Sequence, residues 1–569
     1  MSGLGLHHVL LGALIASAAW SRIADARVFT VNTTADAVDA NPGDGVCRTA
    51  ANTCTLRAAI QEANAFAGPD RINVPAGTFA LALNGAGENA AATGDLDVTS
   101  SIAIWGISSA ATIIDASGLA PRDRVFHVLA GPLELHQLRV TGGRGLPDGG
   151  GILDQGARVT LDQVEIRGCS ANGDGGGIYT AGDTARVEIT SSTITANSAT
   201  SGGGIANEDQ STVSISDTTL SNNTAAQSGG GLYNHIAGGG LSGGTVTGNR
   251  ASSGGGIASV DAVFNLSSTS IDDNTAQTGG GVYHDEPTGA AILELLLVHA
   301  SGNRALGTAG GGGLYARGGS VTIQLSTFLD NTASAGPGGG LVLDPEANIA
   351  MTVSQSTISQ NTAATNGGGI AYPGDDDVMI ISGSTIDHNR ADRAGGGIWG
   401  GQLGGGNLDY STVSSNSAGT NGGGLYLGAN ASGTIVLLGH STIADNGAGV
   451  AAGGVHVSLI GTFEAYQLLL ANSTSGGDCG GLGTLTSIGY TLLRNTAGCN
   501  FTTLPTDVLG MNPRLGPLQD NGGPTFTQAI TTASPAYNAG DPTNCGAGDQ
   551  RTASAPAGGA CDIGAFEVQ

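Results

Sequence analysis

The chain has 569 residues, with 99 glycines, 12% charged side chains, no lysine and a formal net charge of −26. Such a surface repels nucleic acid and anionic membranes, and it disfavours dense polyanions such as unesterified pectate unless Ca²⁺ bridges the charges. Low charge and few aromatics would suit a disordered chain, but a strict internal period overrides that reading.

Residues 1–26 read as a secretory signal. Val9 to Ala19 is a short apolar run, and Ala24-Asp25-Ala26 is a small-x-small cleavage site before Arg27. The n-region is weak, with His7 and His8 but no Lys or Arg. The run is too short to span a bilayer, and no later stretch is long enough. The mature chain is therefore expected to be exported and secreted, extracellular or on the outer cell surface of a bacterium, and monomeric.

Residues 27–70 are expected to form an N-terminal cap. RVFTVNTTAD opens with a strand. In DGVCRTAANTCTLRAAIQEANAFAG, Leu56, Ala59, Ile60 and Ala63 share one helical face, with Thr55 as N-cap and Gly68-Pro69 as the stop. A stack of strands exposes its apolar end, so an amphipathic helix there serves as a lid. Arg57 and Glu62 are assigned to capping and not to catalysis. The seven cysteines fit an oxidising compartment. Local pairing gives Cys47 with Cys54, Cys479 with Cys499 and Cys545 with Cys561. It leaves Cys169 as a buried thiol, since no C-x-x-C or histidine cluster supports a metal.

Residues 71–148 form less regular coils, such as SIAIWGI and LELHQLRVTGG. Asp95 and Asp97 in TGDLDV are weighed as edge-strand turn carboxylates against a Ca²⁺ site.

Residues 149–455 repeat one phrase, clearest in STITANSATSGGGI from Ser192 to Ile205. An apolar residue is followed three positions later by Asn, and a Gly run is closed by Ile, Leu or Val. The Gly-run endings from Ile152 to Val455 span 303 residues in eleven intervals, about 27.5 residues each. Gly inside helices costs roughly 1 kcal/mol each, while VEITSSTI and TVSISDTTL alternate as strands do. Coils of this length with Gly and Asn turns fit an all-β parallel β-helix. The Asn residues are expected to stack as a hydrogen-bonded turn ladder, a residue type that also tolerates the left-handed turn conformation. Two coils depart from the pattern: Cys169 stands three after Ile166, and the coil of Leu297 and Val298 reaches its Asn only at Asn303, which predicts an insertion there. Residues 456–569 are expected to close the rod.

DGVC…CTLRAAIQEAN resembles the CSLREA domain, with Ala58 where that family usually carries Glu. Val74 to Val98 looks similar to the same family. Asn512 to Glu567, NPRLGPLQDNGGPTFTQAITTASPAYNAGD…CDIGAFE, resembles the choice-of-anchor Q domain. The repeats resemble those of polymorphic outer membrane proteins, relaxed to GGG-Φ and Φ-x-x-Asn. The resemblance implies a right-handed parallel β-helix of the pectin-lyase-like type on an exported bacterial protein, and no general activity. The polymorphic outer membrane protein pattern also calls for a translocator barrel, for which residues 456–569 leave no room, so the mode of surface attachment stays open.

Pectin-lyase-like enzymes work on the outer face of a sheet, with Ca²⁺-binding carboxylates and an Arg or Lys base in lyases and paired carboxylates in hydrolases. The densest acidic clusters are Asp375, Asp376 and Asp377, the weak metal candidates, and His284-Asp285-Glu286. Both are placed in turn insertions as solvated carboxylates. The Asn-Thr-Asp, Gly-His-Gly and Arg-Ile-Lys signatures of polygalacturonases are absent. His235, His284, His299, His388, His440 and His456 occur singly and suit solvated or turn roles. One feature is more specific. The residue after each inward apolar should point outward, and there stand Tyr179, Tyr233, Tyr283, Tyr315, Trp399 and Tyr426. They stack for stability, or they form a platform for sugar rings or a partner protein. The sequence thus describes an exported, non-catalytic adhesion, scaffold or glycan-contact module whose partner is an extracellular glycan or surface protein. The alternative is a polysaccharide lyase or hydrolase. No cofactor is expected, with Ca²⁺ the one alternative.

Overall fold

The computed structural model describes residues 26–66, 68–286, 291–345, 351–430, 434–458, 461–546 and 548–569. The expected signal segment lies outside them, apart from Ala26. The chain winds into a parallel β-helix of about 14 turns with one helix among the described residues. A regular coil supplies four strands, for example Ile178–Ala181, Arg186–Thr190, Thr193–Thr195 and Ser198–Ala199. The next coil repeats them in register, with Ile178 beside Ile205, Val187 beside Val213, Ile194 beside Leu220 and Ser198 beside Thr224. The first two strands of each coil build one broad sheet and the last two build narrower ones. Strand alternation turns Ile, Leu and Val inward, so the core is a set of aliphatic ladders, and Ile178, Ile205, Leu232 and Ile257 are all fully buried.

The Gly run marks where two backbones pass at closest approach. Gly202 makes the turn at φ 60°. A Cβ on Gly203 would lie 2.5 Å from the Thr224 carbonyl oxygen of the next coil, and one on Gly204 would lie 2.5 Å from the Gly231 carbonyl oxygen and 3.1 Å from Asn223 Nδ2. Glycine is needed here for space as much as for conformation.

The Asn residues form a continuous buried ladder of ten, from Asn197 through Asn223, Asn249, Asn274, Asn303, Asn331, Asn361, Asn389 and Asn416 to Asn446. At Asn331, Nδ2 donates to Asn361 Oδ1 (3.0 Å) and to the Ala300 carbonyl (2.9 Å). Its Oδ1 accepts from the backbone N–H and the Nδ2 of Asn303, each at 3.0 Å. The ladder residues do not themselves take the left-handed conformation that Asn tolerates. The residue before each does, as at Asn222, Asp273, Asp330 and His388, because the Asn backbone N–H must point along the stack to the next amide. No insertion separates Val298 from Asn303 either. Ala300 occupies the inward apolar place beside Phe328, and the extra residues bulge later, where the pairing of Thr275–Thr278 with Arg304–Gly310 shifts register. Cys169 ends the ladder, its backbone N–H donating to Asn197 Oδ1 at 2.9 Å. Burial pushes its thiol up to about 12.

A second ladder lines the preceding turn. Ser326, Ser356, Ser384, Ser411 and Ser441 pass hydrogen bonds from backbone N–H to hydroxyl up the stack at 3.1–3.2 Å. Again the residue before each, such as Gln355 or Tyr410, carries the positive φ.

The helix Leu56–Ala65 starts at Thr55, whose Oγ1 accepts from the Ala58 N–H. It packs on the strands Asp70–Asn73, Leu96–Val98 and Ile102–Trp105 at the start of the stack. Its polar side is covered too. Arg57 is fully buried, bonding Asp36 through Nε (2.7 Å) and the carbonyls of Ala91, Gly94 and Asp95. Glu62 accepts from the N–H groups of Gly43 and Gly45. The cap is thus a helix wrapped on both sides, stapled by Cys47–Cys54 (Cα–Cα 5.1 Å). Cys479–Cys499 and Cys545–Cys561 are also joined, at 5.0 and 5.4 Å.

Coils continue to Val508–Leu509. The remaining chain runs back along the flank of the rod. Thr525 Oγ1 donates to the Gly383 carbonyl, Gln550 bridges Thr385 and Thr412, and the Ala565 N–H donates to Thr442 Oγ1. Leu469, Ala471 and Leu492 of the rod pack there against Ile530, Ala536 and Ile563.

Asn331→Ala removes four side-chain hydrogen bonds and orphans buried groups at roughly 1–3 kcal/mol each, so the denaturant midpoint should fall sharply, whereas Ser334→Ala on the same coil should leave it nearly unchanged. Leu56→Asp with Ile60→Asp should uncap the stack and produce concentration-dependent aggregates in light scattering; a double variant that stays monomeric with an unchanged melting temperature would contradict the capping role.

Candidate functional site

The outward residues of the first strand in each coil stack in register. From Tyr179 the order is Ala206, Tyr233, Ala258, Tyr283, Tyr315, Val342, Ala371, Trp399, Tyr426 and His456. All six aromatics singled out from the sequence therefore share one outer row, each half-buried. The row is not uniform. Tyr283 and Tyr315 stack with centroids 5.6 Å apart and planes 8° from parallel. Tyr426 stacks on His456 at 4.9 Å and 6°, with Trp399 one coil before. Between these groups Ala206, Ala258, Val342 and Ala371 point outward yet are fully buried. Each has at least one of these rings in register beside it on an adjacent coil, which fits a packing role for the aromatics.

A polar row lies beside the aromatic one, two residues further along each strand. It runs Glu208, His235, Val260, Asp285, Arg317, Asp344. Tyr179 donates its hydroxyl to Glu208 (3.2 Å) and Tyr283 donates to Asp285 (2.9 Å), while Arg317 grips Asp285 with two contacts of 2.8 Å. Tyr233 stacks on His235 at 5.5 Å. Burial, and then the Asp174 carboxylate, push Glu208 up to about 7. Burial also raises the Tyr179, Tyr233 and Tyr283 hydroxyls, so these phenols remain donors at neutral pH. This row escaped the sequence reading, although its signal was present: the strands IANE, LYNH, VYHD, LYAR and LVLD carry it two places after the first residue's outward neighbour.

Other sequence candidates fall elsewhere. His284-Asp285-Glu286 is not a turn insertion; it is part of the strand Val282–Glu286, with His284 and Glu286 inward and Asp285 outward. Asp375, Asp376 and Asp377 lie in a continuous, bulged strand, Ile370–Ser382, and not in a turn. Asp375 and Asp376 are exposed, while Asp377 is buried, accepts from the Gly374 N–H at 2.7 Å, and is pushed to about 7 by burial and then by Asp344. Of the other histidines, His388 contacts Asp387 and His440 stacks on Tyr410. Asp95 and Asp97 are buried; among the described residues the strand Leu96–Val98 that holds Asp97 pairs on one side only, with Phe126–Val128, and Asp95 lies in the bend just before it. With His127 they make the one group of three metal-type donors that converges among the described residues.

Behind the aromatic row runs a column of buried polar side chains, Asp154, Thr180, Asn207, Asn234, Ser259 and His284. Asp154 accepts from Thr180, and Asn207 donates to Asn234. Further along, Ser259 Oγ and both His284 ring nitrogens lack partners.

The Chlamydia polymorphic membrane protein repeat matches residues 217–235. That stretch runs from the turn at Asp217 through ladder residue Asn223 and Gly229–Gly231 to Tyr233 and His235 on the outer rows, part of one coil. No curated protein matches the chain. Among the described residues no helix is long and apolar enough to cross a membrane.

The buried imidazole sets a pH dependence. Burial holds His284 down at about 4 against 6.5 for a free side chain. The unfolded chain therefore takes up a proton below pH 6.5 that the folded chain refuses until about pH 4, and this group's contribution to stability falls through that window. His284→Leu should melt higher than wild type, by a margin that widens as pH drops from 6.5 to 4; a margin independent of pH would contradict it.

Proposed function

We propose that the protein is an exported β-helix that works on a bacterial surface or outside the cell as an adhesion, scaffold or glycan-contact module, and that its contact strip is the paired aromatic and polar rows. The observation that carries this reading is the in-register strip at Tyr283, Tyr315, Asp285 and Arg317, where flat ring faces adjoin fixed hydrogen-bonding groups. A ring stacked on the tyrosines meets apolar surface while its hydroxyls meet carboxylate and guanidinium edges. The polymorphic membrane protein repeat at 217–235 supports a surface context. The wrapped helix at 56–65 is read as a CSLREA-like cap, and the flank segment from Asn512 as a choice-of-anchor Q-like domain.

A glycan array probed with the purified chain tests the reading. Tyr283→Ser, Tyr315→Ser and Trp399→Ser together should abolish binding to any glycan captured. An aromatic pair contributes about 0.5–1.5 kcal/mol beyond its buried area, so the triple variant should keep its fold with a modest drop in melting temperature. Unchanged binding, or unfolding of the variant, would assign the row to packing alone. Release of unsaturated or reducing products in the same incubation would favour a polysaccharide lyase or hydrolase.

A further inference from the structure

At the start of the stack, Asp97 and His127 face each other on adjacent coils, in register and on the outer row that later carries the tyrosines. Asp95 stands two residues before Asp97, and the three offer donor atoms that all lie within 4.8 Å of one another. Asp97 is fully buried and Asp95 nearly so. Asp97 Oδ2 is satisfied by the Ala91 N–H at 2.8 Å. Its Oδ1, closed off from solvent, has no hydrogen-bond partner and points toward His127 Nδ1 at 3.4 Å; His127 Nε2 is also unpartnered. Asp123 adds a third carboxylate, its Oδ2 accepting from the Asp95 N–H. Among the described residues, the guanidinium paired to this set is that of Arg124, 3.2 Å from Asp95 Oδ2. Nearby Arg57 is committed to Asp36 and to backbone carbonyls.

Three buried carboxylates facing one cation leave negative charge uncompensated in a medium where that is costly. We propose that Asp95, Asp97 and His127 bind one divalent transition-metal ion of the zinc class, which ties the coil of Leu96–Val98 to the next, that of Phe126–Val128, beneath the N-terminal cap. Two carboxylate oxygens with one imidazole nitrogen favour such an ion over Ca²⁺, which takes six to eight oxygens. The spacing agrees: two ligand atoms each about 2.1 Å from a tetrahedral ion lie about 3.4 Å apart, as Asp97 Oδ1 and His127 Nδ1 do. The ion accounts for the orphaned Asp97 oxygen, and a fourth position is left for water. The site is structural, because the carboxylates are closed off and the Arg57 bonds to the carbonyls of Gly94 and Asp95 fix the loop that carries them.

The test uses the full mature chain, dialysed against chelator and titrated with ZnCl₂ in a calorimeter. One equivalent should bind and the melting temperature should rise. Loading with Co²⁺ should give visible absorption bands typical of a low-coordinate nitrogen and oxygen site. Asp97→Asn and His127→Gln should each lose the equivalent, while Asp375→Asn with Asp376→Asn, on exposed acids, should retain it. If the first two variants fail to fold, the Co²⁺ spectrum of the wild type decides, and a hydrated-ion spectrum overturns the site. Absence of a zinc equivalent, or a response to Ca²⁺ alone that His127→Gln leaves intact, would reduce the cluster to an Asp–His ion pair or an acidic patch.

Discussion

The structure depends on a row of amides. Each inner ladder asparagine bonds both its neighbours and the carbonyl of an apolar residue on the coil behind it, so each such turn is tied to the turns on either side. That arrangement brings two backbones so close that a Cβ on the facing glycine would clash with a carbonyl. The Asn and the Gly run are therefore one device, split across the coil by several residues of chain. Where the amide gives way to Cys169, the ladder stops and the coils toward the N-terminus become less regular. The hydroxyl ladder repeats the principle at the neighbouring turn with a smaller group.

Much of this was legible because the signal is periodic. A spacing near 27 residues, alternation in the strands and a fixed Asn position are enough to specify a stack of parallel coils. The conformation of the Asn was not legible. Residue type lets Asn take the left-handed turn, but the side chain is needed inside, so that conformation passes to whichever residue precedes it, whether Ala196, Asp330 or His388. The misread coil at Val298 shows another limit. A small Ala300 fills an inward place that pattern matching gives to a larger neighbour. The wrapped helix was half visible: its apolar face could be read, while the burial of Arg57 depends on Asp36 and three carbonyls from distant loops.

The candidate strip shows the same division. The aromatic row was readable because one position repeats, and the adjacent polar row was equally periodic but mixed in chemistry, with Glu208, His235, Asp285 and Arg317 in one file. A row of one residue type stands out in a sequence and a row of alternating charge does not. The Asp95–Asp97–His127 cluster needed coordinates, since His127 comes from a different coil and only the stacking brings it over Asp97.

The flank segment changes how such a rod comes apart. In a stack where each coil touches only its neighbours, the end coil is free to peel away and the rest to follow. Here residues 525, 550 and 565 bond Gly383, Thr385, Thr412 and Thr442, on coils that do not all adjoin. The segment acts as a splint across successive joints: bending or twisting one coil against the next must shear several distant bonds at once. Peeling inward from the C-terminal end must first lift the splint, so this stretch of the rod behaves as a single stiff block and hands mechanical load to the unsplinted coils nearer the N-terminus.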